Sequence, residues 1–296
     1  MTRSRQQGVA LVLVLWITVL VTVASGAFAI MARVDRLEAN TLLWGTRARL
    51  AAEGAIQLAA AALRDTDDLY RPIGDGRPYF YAIDDALVEV RITDERGKLD
   101  LNAIEEPTLI TLFTNHGLEQ GEAELLAGAV MDWRDADELE RVNGAELPAY
   151  EEAGLEIGPA NRPFLMTQEL LQVLGMTYAL YERIEPGLTV YSRVGEPDLA
   201  FAPFEALMAV PEITPEEALN FVEERQSMEP GTVEGFSLPT GQLIMAQGRG
   251  LTYSIVAKAT MPNGIWEQIE ATIRLGGTQT GQPFRVLRWR EGFHQP

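Results

Sequence analysis

The sequence predicts an α+β protein in which a long N-terminal helix packs on an antiparallel sheet and a large helical domain is inserted between the strands. Three observations predict it. Apolar side chains recur at three- and four-residue steps well past the first hydrophobic run. A period-two stretch begins near Ala86, and comparable stretches return only after residue 250. Between them, from Thr108 to about Glu224, the period is helical.

Composition bounds the chemistry. The 296 residues are 47% hydrophobic, enough for a core divided between two packed units. There are 43 acidic and 24 basic residues, a formal charge of −19 that repels phosphate backbones, so no nucleic-acid partner is expected. Cysteine is absent and the only histidines are His116 and His294, which removes disulfides, thiol nucleophiles and Cys/His zinc sites. None of the six serines occupies a G-x-S-x-G elbow; "GFSLP" at Gly235 to Pro239 lacks the second glycine. No Walker or Rossmann glycine pattern is present, and the chain is read as a non-enzyme.

The first element is the helix. Val9 to Ala32 contain no ionisable side chain, and these 24 residues would rise about 36 Å, against a hydrocarbon core of about 30 Å. Arg3 and Arg5 precede the run and Arg33 follows it, which places the N-terminus in the cytoplasm and the remainder across the membrane. Three readings fit: a secretory signal cut after "AFA" at Ala27 to Ala29, an uncleaved anchor, or a leader cut between Gly8 and Val9 with the helix retained. Past the membrane run, Val34, Leu37, Trp44, Ala48, Ala51, Ala55, Leu58 and Ala62 form one stripe, with most charges off it. One helix of more than fifty residues, half membranous and half amphipathic, has the shape of a pilin spine, and a basic leader ending in glycine resembles the signal cut by prepilin peptidase. Most pilin-like subunits carry glutamate at the fifth mature position; here that position is Leu13. A charge within hydrocarbon needs a partner, and a subunit at a filament tip has no neighbour that would supply one.

The remaining elements follow in order. "ALVEVRITD" from Ala86 alternates Leu87, Glu89 and Arg91 against Val88, Val90 and Ile92, and follows a turn-rich stretch at Arg71 to Phe80. "TLITLFTNHGLEQGEAELLAGAVMDWRD" and "FEALMAVPEITPEEALNFVEERQS" read as two copies of a helical hairpin similar to helix-hairpin-helix or SAM-like modules. In the second, Thr214, Pro215 and Glu217 predict a capping box. "LTYSIVAKATMPNGIWEQIEATIRL" reads as a hairpin turning at "PNG", and "PFRVLRWRE" as a last strand. The expected organisation is a leader at 1–8, the spine at 9–65, the first part of the sheet domain at 66–104, the helical insertion at 105–230 and the remaining strands at 231–296.

Asp132, Asp135 and Asp137 are followed by Glu138, Glu140 and Glu146, with Asn143 and Gly144 to permit a turn. Calcium takes six to eight oxygen ligands from such groups, yet the spacing is not an EF-hand, and a solvated acidic face explains the same pattern.

The chain resembles the minor pseudopilin family of type II secretion known as general secretion pathway protein K. The resemblance rests on Leu13, "ITDERGKLDLN" at Ile92 to Asn102 (with Asp100 for the more usual Asn), "DWRDADELERVNGAE" at Asp132 to Glu146, "FLMTQELLQVLGM" at Phe164 to Met176 and "LTVYS" at Leu188 to Ser192. It implies a pilin-like sheet with a helical insertion, cleavage at Gly8 and N-methylation of Val9. It implies calcium in the acidic segment, held by Asp132, Asp135, Asp137, Glu140 and Glu146. The residues after Glu146, "LPAYEEAG", depart from the family pattern and argue against a full second site. The implied partners are other minor pseudopilins, prepilin peptidase, the inner membrane and secreted cargo. The implied location is the bacterial inner membrane with a periplasmic C-terminal domain, then the pseudopilus tip. Two alternatives stand beside this: a minor pilin of a type IV pilus, and a membrane-anchored, metal-dependent periplasmic protein.

Overall fold

A computed structural model describes residues 7–67, 70–228, 237–238, 241, 250–276 and 283–292, with side chains from residue 9 onward. Arg3, Arg5 and His294, most of the "GFSLP" stretch and the expected joint at 230–231 lie outside these residues.

The helix α1 runs without a break from Gln7 to Ala62. From Val9 onward it includes a window apolar enough to cross a membrane, none of which is buried in the protein. Its C-terminal part packs on the sheet through Ala48, Ala52, Ala55, Ile56, Ala59 and Leu63. The expected stripe is therefore corrected at its far end, where Leu58 is exposed and Ala59 takes its place. The reason is geometric. Trp44, Ala48, Ala51, Ala55, Leu58 and Ala62 follow a strict seven-residue repeat, whereas a straight helix drifts about 20° per heptad from that repeat. Small side chains on the buried face let the helix lie close to the strands.

Five antiparallel strands form the sheet in the order β1-β2-β5-β6-β7, with β1 at Asp75–Ile83, β2 at Ala86–Asp94, β5 at Thr252–Thr260, β6 at Trp266–Leu275 and β7 at Phe284–Glu291. Along β2, Val88, Val90 and Ile92 face α1 and Leu87 and Arg91 face outward, as the alternation predicts. The hairpin β5–β6 closes at Met261 to Ile265, where Gly264 takes a φ of +85°. The sheet begins earlier than expected. The stretch read as turn-rich contains the first part of β1, whose Pro78 lies next to an irregularity in the pairing with β2. Proline removes a ladder donor, which an edge strand tolerates beside a bulge. Tyr79, Tyr81 and Ile83 then reach the core beneath α1.

Between β2 and β5 the chain builds a second core. Its elements are β3 (Leu99–Asp100), α2 (Glu106–Asn115), α3 (Gln120–Arg134), α4 (Leu147–Glu152), α5 (Tyr178–Ile184), β4 (Leu188–Thr189), α6 (Phe204–Leu207) and α7 (Pro215–Ser227). The predicted capping box on α7 is present, with Thr214 and Glu217 bonded reciprocally. The two hairpins differ in weight, since α2 has 10 residues and α6 has 4. Between α3 and α5 the helical period gives way to loops that carry only α4 and a six-residue 3-10 turn at Thr167–Gln172. The two-residue strands β3 and β4 pair in parallel, Leu99 with Leu188 and Asp100 with Thr189.

Polar side chains fasten the helical part to the sheet. Arg225 of α7 is fully buried and donates to the carbonyls of Leu199 and Ala202, both at 2.9 Å. Arg77 of β1 pairs with Asp75 at 2.8 Å and donates to the carbonyls of Arg225 and Met228. On the other side Glu95 accepts from Lys98, Ser254 of β5 and Thr189 of β4.

Candidate functional site

The acidic segment leaves the C-terminus of α3 and returns to that helix from outside. Asp132, in the last turn of α3, is fully buried. Its Oδ2 accepts from the backbone N–H of Ala145 at 3.0 Å and of Arg141 at 3.3 Å, so one carboxylate holds both limbs of the loop. Glycines permit the approach. A Cβ on Gly144 would stand 2.0 Å from Asp132 Oδ2, and one on Gly128 would stand 2.3 Å from the Asn143 carbonyl oxygen. Asn143 supplies the turn with a φ of +64°, which asparagine tolerates better than most residues.

The Arg141 guanidinium bridges Asp132 and Asp135, its Nε lying 3.3 Å and 3.2 Å from their oxygens. Even so, Asp132 Oδ1, Asp135 Oδ1 and Glu146 Oε1 are buried with no hydrogen-bond partner among the described residues. Glu146 precedes α4 without its side chain capping that helix. Burial pushes the Asp132 carboxyl above the ordinary range, and Asp135 adds to the shift. Burial raises Glu146 as well, followed by the charges of Asp132 and Asp135. Buried acceptors without donors are expensive, and a cation would relieve both their desolvation and their repulsion.

The residues therefore fit calcium in kind. They offer hard oxygen donors in excess negative charge, although among the described residues no three acidic or histidine side chains already converge as a cage. Of the residues named from sequence, Asp132, Asp135 and Glu146 are the ones with a buried oxygen that has no hydrogen-bond partner among the described residues. Asp137 and Glu140 are exposed, and Asp137 Oδ1 accepts from the Leu139 N–H. Gly144 was named from the sequence as permitting a turn, whereas Arg141 and Gly128 were not; a glycine inside the apolar helix "LLAGAV" was the available signal. At the other end of the molecule Gly8 falls within α1, and Val9 and Leu13 lie on its exposed apolar half.

The other sequence stretches meet beneath this loop. Asn102 exchanges two hydrogen bonds with the backbone of Phe164, at 2.9 and 2.7 Å. Phe164 stacks on Trp133, with ring centroids 6.0 Å apart. Asp100 accepts from the N–H of Arg193 at 2.7 Å and from the Ser192 hydroxyl. Arg134 donates to the carbonyls of Leu101 and Ile104.

Comparison with known proteins agrees with that arrangement. Residues 86–193 match the family model described as type II secretion system (T2SS), protein K, a span that holds β2, the acidic loop and the β3–β4 pair. The chain is 31% identical over 263 residues to the type II secretion system protein K of Klebsiella pneumoniae, covering 79% of this chain and 77% of that one. It is 27% identical over 245 residues to the protein of the same name from Pseudomonas aeruginosa, covering 75% and 73%. Its fold is similar to a chain in the crystal structure of the GspK-GspI-GspJ complex from the enterotoxigenic Escherichia coli type 2 secretion system, with a TM-score of 0.54 and 18% identity over 89% of this chain and 99% of that one. Nearly a third of the residues are thus shared with a relative along most of the length of both chains, and the chain belongs to the type II secretion system protein K family.

Proposed function

We propose that this protein is a minor pseudopilin that caps the tip of a periplasmic pseudopilus and nucleates its assembly with other minor pseudopilins. The observation that carries the reading is α1. It is one continuous helix whose N-terminal half offers an unburied apolar surface and whose C-terminal turns, from Trp44 onward, are packed on the sheet. Such a helix rests in the inner membrane until it is drawn into a filament, and the globular part then faces the periplasm. Leu43 and Leu50 lie one heptad apart on the side away from the sheet and are more than half exposed, which suits a neighbouring spine helix. Leu13 in place of glutamate suits a subunit with no neighbour above it. The fold's likeness to a chain solved with two other Gsp proteins makes pseudopilins of the I and J types the proposed partners.

Prepilin peptidase is the proposed processing enzyme, cutting between Gly8 and Val9 before N-methylation. Calcium belongs to the same proposal, held by Asp132, Asp135 and Glu146, where it would neutralise carboxylates that burial penalises and fix the loop. Secreted cargo is the proposed contact of the exposed helical domain.

The deciding experiment is mass spectrometry of the membrane-extracted protein, with and without the peptidase, joined to co-purification with the I- and J-type subunits. The expected result is a chain that starts at N-methylated Val9 only when the peptidase is present. Leu50→Asp should then weaken the co-purification. An unchanged N-terminus in both strains overturns the assignment.

A further inference from the structure

Beside the acidic loop the helical domain carries an apolar groove of about 430 Å³. One wall is α3, which presents Glu122, Leu125, Leu126 and Ala129 at steps of three, one and three residues, a single helical face. Gly144 and Ala145 form part of the lining, and Leu118, Leu174, Gly175, Thr177 and Leu180 complete it. Leu125 is 57% exposed although it faces other apolar groups, and two residues before Gly144 the side chain of Val142 is 86% exposed. No lining residue belongs to a strand, so an added strand would find no ladder to join.

The surroundings are mainly acidic, and the one cation on the loop before Gly144, Arg141, is taken up by Asp132 and Asp135. Glu122 lies on the wall itself, Glu119 is exposed just before α3, and Asp137, Glu138 and Glu140 are exposed on the loop that leads to Gly144. This setting repels anionic lipids and fatty acids and attracts apolar groups that carry positive charge. We propose that the groove docks an amphipathic helix of another polypeptide, whose apolar side chains enter between α3 and Leu174–Leu180 and whose flanking lysines or arginines meet Glu122 and the acidic loop. Helix-in-groove docking requires an apolar trough with room for side chains at i, i+3, i+4 and i+7. The α3 wall, with Glu122, Leu125, Leu126 and Ala129, shows that spacing itself. The proposal concerns a surface on the helical domain and stands apart from the filament contacts assigned to α1.

The test uses the full chain in nanodiscs of neutral phosphatidylcholine and a fluorescein-labelled synthetic helix with leucines at those four positions and lysines beside them. Two comparison peptides replace the lysines by glutamate or the leucines by serine. Binding is read by fluorescence anisotropy, with empty nanodiscs as the blank. The lysine–leucine peptide should bind at least about tenfold more tightly than either comparison peptide. Leu125→Lys and Glu122→Lys change exposed side chains, so the fold should survive, and each should weaken binding about tenfold. Glu223→Lys, the same charge change on the exposed face of α7, should leave it within about twofold. Retention of the far-ultraviolet circular dichroism melt in each variant separates lost docking from lost folding. Equal binding of the serine peptide, equal loss in Glu223→Lys, or no binding of the lysine–leucine peptide would each overturn the proposal. None of these results touches the N-terminal processing on which the filament assignment is judged.

Discussion

Arg225 has no exposed surface, and its charge is kept only because carbonyl oxygens from Leu199 and Ala202 and the nearby carboxylate of Asp75 receive it. Burial pulls its pKa down to about 10, so it remains a cation near neutral pH. Its Nε has no hydrogen-bond partner among the described residues, and its guanidinium lies 5.5 Å from the Phe221 ring centroid. Replacing it by leucine would strand several acceptors and leave Asp75 with Arg77 alone. The expected loss is about 3–5 kcal/mol of unfolding free energy, read from urea titration of the purified protein. In the sequence Arg225 stands among "VEERQS" and looks like any exposed helical charge, because its partners lie 23 to 150 residues away. The acidic cluster was easier to see. Which of its members are buried was not, since that depends on Gly144 allowing Asp132 beneath the loop.

Elements with strong local signals were legible. The capping box at Thr214 is a property of four consecutive residues, and it forms as those residues predict. Thr214→Ala should cost about 1 kcal/mol, measured by thermal or chemical melting, with no change in membrane association. β2 and the β5–β6 hairpin were legible for the same reason: alternation and turn chemistry are both local. β1 was not, because Gly76 and Pro78 at its start look like punctuation. Only its position at the sheet edge beside β2 makes them acceptable. The strands β3 and β4 were invisible as a pair. Each has two residues, and the pairing joins points 89 positions apart in the chain. In α1 the length and the stripe were legible, whereas the exposure of Leu58 followed from helical drift over several turns.

For the whole molecule, the division into two hydrophobic cores was readable from composition and the change of period, and the structure separates them into one beneath α1 and one among the shorter helices. The proposed calcium site belongs to the second core and should stabilise it as a unit, because a ligand that binds only the folded state adds its binding energy to stability. At a calcium concentration of about a hundred times Kd the gain is about 2.7 kcal/mol, which for a domain of this class is a rise of about 5–10 °C in Tm. Addition of EDTA should reverse it. Asp132→Asn should abolish the calcium-dependent shift, and an identical shift in that variant would remove Asp132 from the site.

The side-by-side pairing of β3 with β4 means that the chain departs toward α2 and comes back from α5 at neighbouring points. A segment whose ends already touch behaves as a cassette. Helices between Leu101 and Gly187 can therefore loosen or shift without moving β2 or β5, so motion among them need not reach the sheet or the helix packed on it.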